Sequence, residues 1–117
     1  NLEAQSHLGL HYFYGKGVKK NFTKAIYWFQ KAAKKGDAKA QYNLGLLYEN
    51  GDGVSKNLKK AVKWYRRAAE QDHPKAQANL GWMYVNGMGV KEDFDEAAKW
   101  YKRSETQKKY SKNSHFN

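Results

Sequence analysis

Cysteine is absent from all 117 residues. That excludes a disulfide framework and any thiolate metal site, and it leaves the redox compartment open. No apolar run approaches the roughly 20 residues of a membrane span, so no membrane insertion is expected. Acidic residues are scarce, 11 against 22 Lys and Arg, for a formal charge of +11. Such an imbalance favours an acidic partner, whether nucleic acid, anionic lipid or an acidic protein face, and composition does not choose among them. The opening residues do not read as a signal peptide. The chain begins at Asn1 rather than Met, however, which leaves room for a leader or further repeats upstream. By length this is one domain, large enough to bury a core.

What the chain does have is internal repetition. Set against itself, the sequence shows a period of 36 residues with no insertion or deletion. Ala4, Ala40 and Ala76 align, as do Leu8, Leu44 and Leu80, and Gly9, Gly45 and Gly81. Tyr12, Tyr48 and Tyr84 follow, then the glycine pairs Gly15/Gly17, Gly51/Gly53 and Gly87/Gly89, then Trp28, Trp64 and Trp100. Fixed positions at this period mean stacked supersecondary units that cannot bury their apolar faces alone.

Each unit reads as two helices. Ala40, Leu44 and Tyr48 form one stripe of the first, and Gly45 lets a neighbour approach closely. The glycine pair stops that helix. Asn21, Asn57 and Asp93 stand at N-cap positions before the second. The single proline, Pro74, falls in a first helical turn, where its missing N–H costs nothing. The predicted helices lie near 3–14, 22–35, 38–50, 58–71, 74–86 and 94–107, giving repeats 3–37, 38–73 and 74–107 and a polar, basic tail at 108–117. In the third copy Ser104-Glu105 replaces the alanine pairs Ala32-Ala33 and Ala68-Ala69. Polar residues there suggest a stacking face with no further neighbour, and Lys108 to Asn117 read as frayed.

The pattern A-x-x-x-L-G-x-x-Y-x-x-G-x-G-V, followed by A-x-x-W-Y/F-x-K/R-A-A, resembles the Sel1-like repeat, a relative of the tetratricopeptide repeat, over about residues 3 to 105. The resemblance implies an all-α, right-handed superhelical solenoid of helix pairs. It also implies non-catalytic adaptor or scaffold roles: in protein quality control, bacterial signalling and host contact, and as immunity proteins against secreted toxins. The last inclines the compartment towards the bacterial periplasm, with the cytoplasm still open. Many relatives carry cysteines at helix ends, so the disulfide-stapled bacterial subgroup is a poorer match.

The loops YGKGV, NGDGV and NGMGV lack the G-x-G-x-x-G or G-K-[ST] context of a phosphate cradle and read as structural joints. On a helical wheel, positions 40, 41, 44, 45 and 48 face the core. By the tetratricopeptide analogy the opposite face lines a concave wall, where an aromatic-aliphatic strip suits a peptide, helix or loop. The candidate partner-binding residues there are Leu10, Phe13, Tyr14, Tyr42, Leu46, Trp82 and Val85 for apolar anchorage. Lys39, Lys75 and Asn86 would orient acidic or backbone groups. Trp82 stands out because Leu10 and Leu46 occupy its place in the other copies.

Other features carry less. Lys24, Lys31, Lys34, Lys35, Lys60, Lys63, Arg66, Arg67, Lys99, Lys102 and Arg103 fall on the second helices, with few exposed aromatics expected beside them. They offer an alternative, polyanion binding on a convex face, though no nucleic-acid motif accompanies them. His7 and His11 stand four apart without a third metal ligand and read as semi-buried repeat positions. The sequon at Asn21 coincides with an N-cap. Glu49 and Asp52 are repeat-variable carboxylates, and no catalytic constellation or cofactor motif emerges.

Overall fold

The computed structural model describes residues 2–15 and 21–114, without the side chains of Glu3 and of residues 107–114. It contains six helices and, among the described residues, no strand: α1 (Leu2–Tyr14), α2 (Phe22–Lys34), α3 (Ala38–Asn50), α4 (Leu58–Glu70), α5 (Pro74–Asn86) and α6 (Phe94–Ser114). Each of the first five has 13 residues. Packing is densest between successive helices, so the fold is an all-α solenoid of three helix pairs.

Local chemistry sets the helix ends. Asn21, Asn57 and Asp93 cap the second helices, their side-chain oxygens accepting from the N–H of Lys24, Lys60 and Glu96, each at 3.0 Å. Gly51 and Gly87 end α3 and α5 in the left-handed conformation, and their N–H groups return to the Leu47 and Met83 carbonyls. In the two described pairs the second glycine, Gly53 or Gly89, does a further task. At Gly89 a Cβ would collide with the carbonyl of Leu58 at the start of the preceding repeat's α4. The double glycine is therefore a stacking contact between repeats as well as a turn. In the first copy, residues 16–20 of this loop lie outside the described residues.

The core forms by aromatic rings entering glycine notches. Phe29 and Tyr65, both fully buried, lie against Gly9 and Gly45, where any Cβ would overlap the ring. Ala25, Ala32, Ala61, Ala68, Ala40 and Ala76 let the helices close around Leu44, Leu47, Leu80 and Met83. Trp64 and Trp100 are buried, while Trp28 is half-buried.

Successive repeats are tied by hydrogen bonds in register. Gln41 Nε2 donates to the Ala33 carbonyl at 3.1 Å, and Gln77 Nε2 to the Ala69 carbonyl at 3.0 Å. Each thereby adds a second donor to a carbonyl at the end of the preceding second helix, beside the N–H of Gly36 or Asp72. Gln30 Nε2 reaches Tyr48 Oη, and Arg66 donates to Tyr84 Oη at the equivalent place.

Three expectations need correction. Ser104 does not face an open end. It is buried, and its hydroxyl donates to the Pro74 carbonyl at 2.8 Å, within its own repeat; only Glu105 of the pair is exposed. Leu8 aligns with the fully buried Leu44 and Leu80 yet is 38% exposed. Leu44 and Leu80 lie on helices packed between two second helices, whereas α1 packs densely only on α2. Finally, α6 continues to Ser114, past the expected end at 107 and through most of the segment read as frayed. No glycine or proline interrupts that stretch, so nothing stops helical hydrogen bonding there.

Candidate partner-binding wall

The first helices α1, α3 and α5 stand side by side, and their outward residues form one wall. Its centre is a pocket of about 320 Å³ to which every repeat contributes: Leu10 from α1, Lys39, Tyr42 and Asn43 from α3, and Pro74 and Lys75 from α5 with its cap, His73. A second hollow of about 280 Å³, lined by His7, Leu10, His11 and Tyr14, continues from it through the shared Leu10.

His73 organises the central pocket. Its Nδ1 accepts from the Ala76 N–H at 3.2 Å, which caps α5 and puts the proton of the neutral ring on Nε2. The imidazole also stacks on Tyr42, with ring centroids 4.8 Å apart. Burial, then the charges of Lys75 and Lys39, lower the His73 pKa below its ordinary value, against a smaller opposing pull from Asp37. Tyr42 is pushed up, chiefly by burial, with an Asn79 hydrogen bond opposing it. Behind it, Tyr65 donates a 2.6 Å hydrogen bond to Glu49 Oε1 and is raised far out of the titratable range, first by burial and then by that carboxylate. Glu49 is thus committed to holding Tyr65 in place.

The expected wall residues are distributed unevenly. Leu10, Lys39, Tyr42 and Lys75 meet in the central pocket, and Tyr14, 65% exposed, joins Leu10 in the adjoining hollow. Phe13 is half-buried at the joint of α1 and α2, its ring edge-on to Phe22 at 5.5 Å. Leu46 is half-buried against the core, and Val85 is half-buried. Trp82, at 53% exposure, lines neither hollow. Asn86 is exposed and turns its amide back to the Trp82 carbonyl at 3.0 Å.

His73, Pro74 and Asn43 were missed as wall residues by the sequence reading. A signal was available: His73 occupies the cap position that Asp37 holds one repeat earlier, and so lies beside Lys75 and the wall. His7 and His11 are exposed rather than semi-buried, because α1 has no first-helix neighbour on its outer side among the described residues. No cluster of three or more His, Cys, Asp or Glu that could hold a metal occurs among the described residues.

The second helices also differ from expectation. Their cations do have aromatic neighbours. Lys31, Arg67 and Arg103 lie over Trp28, Trp64 and Trp100 at 5.4, 4.9 and 4.7 Å from the ring centroids, one pair per repeat. The (i, i+3) spacing on one helix face brings each pair together, and the rings lie mostly beneath the cations rather than beside them in solvent. No described helix is long and apolar enough to cross a membrane.

The Sel1 repeat model matches residues 2–37, 38–73 and 74–108, nearly the whole chain. The chain belongs to the Sel1 repeat family. Sel1 repeat proteins are typically non-catalytic scaffolds that mediate protein–protein interactions. Among solved structures, a Sel1 repeat protein from Oxalobacter formigenes is similar at 50% identity and TM-score 0.90, over 92% of this chain and 44% of that one. A protective antigen of uropathogenic Escherichia coli with an SLR fold is similar at 40% identity and TM-score 0.89, over 91% of this chain and 23% of that one. This Sel1 repeat chain therefore spans less than half the length of either. Helicobacter pylori cysteine-rich protein B shares the fold, with TM-score 0.77 at 23% identity, over 91% of this chain and 81% of that one. No curated protein matched the sequence.

Proposed function

We propose that this Sel1 repeat chain is a non-catalytic interaction module that captures a peptide, helix or loop of a partner protein along the concave wall of its first helices. The observation that carries this reading is the pocket to which all three repeats contribute; the first helices also present the half-buried Leu46 and the exposed Trp82. Apolar surface exposed on a wall with a few polar groups is the usual chemistry of such capture. Leu10, Tyr14, Tyr42, Leu46 and Trp82 supply apolar contact, and Lys39 and Lys75 draw the site towards acidic partners. An adaptor or a toxin-neutralising immunity protein would use the wall in this way, and the bacterial origin of the similar structures suits either.

The test is a nuclease-treated pull-down from the source organism's lysate, with wild type beside a Leu46→Asp/Trp82→Ala variant and circular dichroism on both. A protein retained by wild type and lost by the folded variant supports the wall. Equal retention by both overturns it.

The register of Lys31, Arg67 and Arg103 along the second helices favours one alternative, binding of a polyanion to the opposite face. That reading requires affinity for nucleic acid that falls steeply with salt and is indifferent to Trp82.

A further inference from the structure

We propose that the central pocket of the wall receives an aspartate or glutamate side chain of a partner segment that runs through the groove, its carboxylate between Lys39 and Lys75. This rests on the wall being the binding face and specifies which residue of the partner it reads.

Lys39 and Lys75 occupy the same position of consecutive repeats, and both are exposed on the pocket rim. Neither forms an ion pair among the described residues. Both line the same pocket as His73, which brings two cations to one site, and both charges act on its imidazole. The other polar groups of the lining add donors, the Asn43 amide and the neutral His73 ring. The nearby carboxylate, Asp37, is engaged as the cap of α3, where it accepts from the Lys39 N–H. A carboxylate entering the pocket therefore meets two unpaired ammonium groups with amide and ring donors close by, the arrangement that gives charge-assisted hydrogen bonds.

The floor explains why the ligand is a side chain. Leu10, Tyr42 and Pro74 form an apolar base suited to the methylenes that carry an aspartate or glutamate carboxylate. Leu10 also belongs to the adjoining hollow with His7, His11 and Tyr14, so the groove continues past the pocket. A segment lying in it passes on towards Tyr14, which favours an internal acidic residue over a chain terminus.

The test uses two immobilised dodecapeptide libraries that differ only in a fixed central Glu or Gln, at near-physiological salt. Wild type should retain the Glu library about fivefold better, the scale of two partly solvated ion pairs. Lys39→Ala/Lys75→Ala, with an unchanged circular dichroism spectrum, should bring the two libraries to near equality. A control, Lys63→Ala/Lys99→Ala, removes the same charge from the second helices and should keep the preference. Equal loss in the control overturns the pocket in favour of net charge alone. Retention that depends on Trp82 but does not distinguish Glu from Gln overturns the pocket and leaves the wall standing. Retention of neither library overturns both.

Discussion

The imidazole of His73 stacks on the phenol ring of Tyr42 with centroids 4.8 Å apart and planes inclined by 24°, while its Nδ1 caps α5. One side chain thus joins the start of the third repeat to the wall of the second. The cap depends on its neutral form, since protonation turns Nδ1 from acceptor to donor.

A pH dependence follows. The folded-state pKa of His73 lies below its unfolded value, so the unfolded chain takes up this proton first as pH falls. The stability contributed by His73 is complete above about pH 6.5 and is lost as pH drops through the folded value. Loss of the cap should cost about 1 kcal/mol. Urea denaturation at pH 7.5 and at pH 5 measures it. His73→Asn, which keeps a capping oxygen and cannot titrate, should show a smaller decline between the two.

Gly45→Ala should destabilise the chain despite alanine's better helix propensity. The propensity gain is about 1 kcal/mol, whereas forcing a methyl into the fully buried Tyr65 ring costs about 1–3 kcal/mol. Gly81→Ala should be milder, because the Tyr101 ring stands 3.1 Å away and is partly exposed, free to yield. Thermal melts of the two variants should rank in that order. The reverse ranking would mean that the notches are not what set the helix spacing.

Gln77→Met should uncouple the second and third repeats. Gln77 is fully buried and donates across the repeat interface to the Ala69 carbonyl, which also accepts from the Asp72 N–H. Because the acceptor stays paired to backbone, losing this one hydrogen bond should cost about 0.5–1.5 kcal/mol. In a solenoid that loss falls on one interface, so the denaturation curve should broaden as well as shift. Amide exchange should then show α5 and α6 opening before α3 and α4.

Trp82→Ala should leave stability within about 0.5 kcal/mol, as expected for a surface substitution. If the wall captures a partner, the same change should weaken binding by about 2 kcal/mol, as truncation of an aromatic anchor does. Calorimetric melting and a titration with the captured partner separate the two effects. A large drop in melting temperature would instead assign Trp82 to packing.

Chain order alone was enough to determine the periodic features. The 36-residue repeat, the positions of the first five helices, the caps at Asn21, Asn57 and Asp93, and the glycine notch at Gly45 all follow from contacts within one repeat, which recur at fixed spacing. Of the site, it placed Leu10, Lys39, Tyr42 and Lys75 on one wall, because a helical wheel sorts residues by face. Only the tertiary structure could decide what happens between repeats. Leu8 is exposed where Leu44 and Leu80 are buried, because burial depends on which helices stand on either side and not on the residue's own register. Ser104 turned inward because a carbonyl, Pro74 O, lay within reach on the partner helix. His73 entered the pocket through a stacking partner 31 positions away in sequence, Tyr42, and no local pattern encodes that proximity.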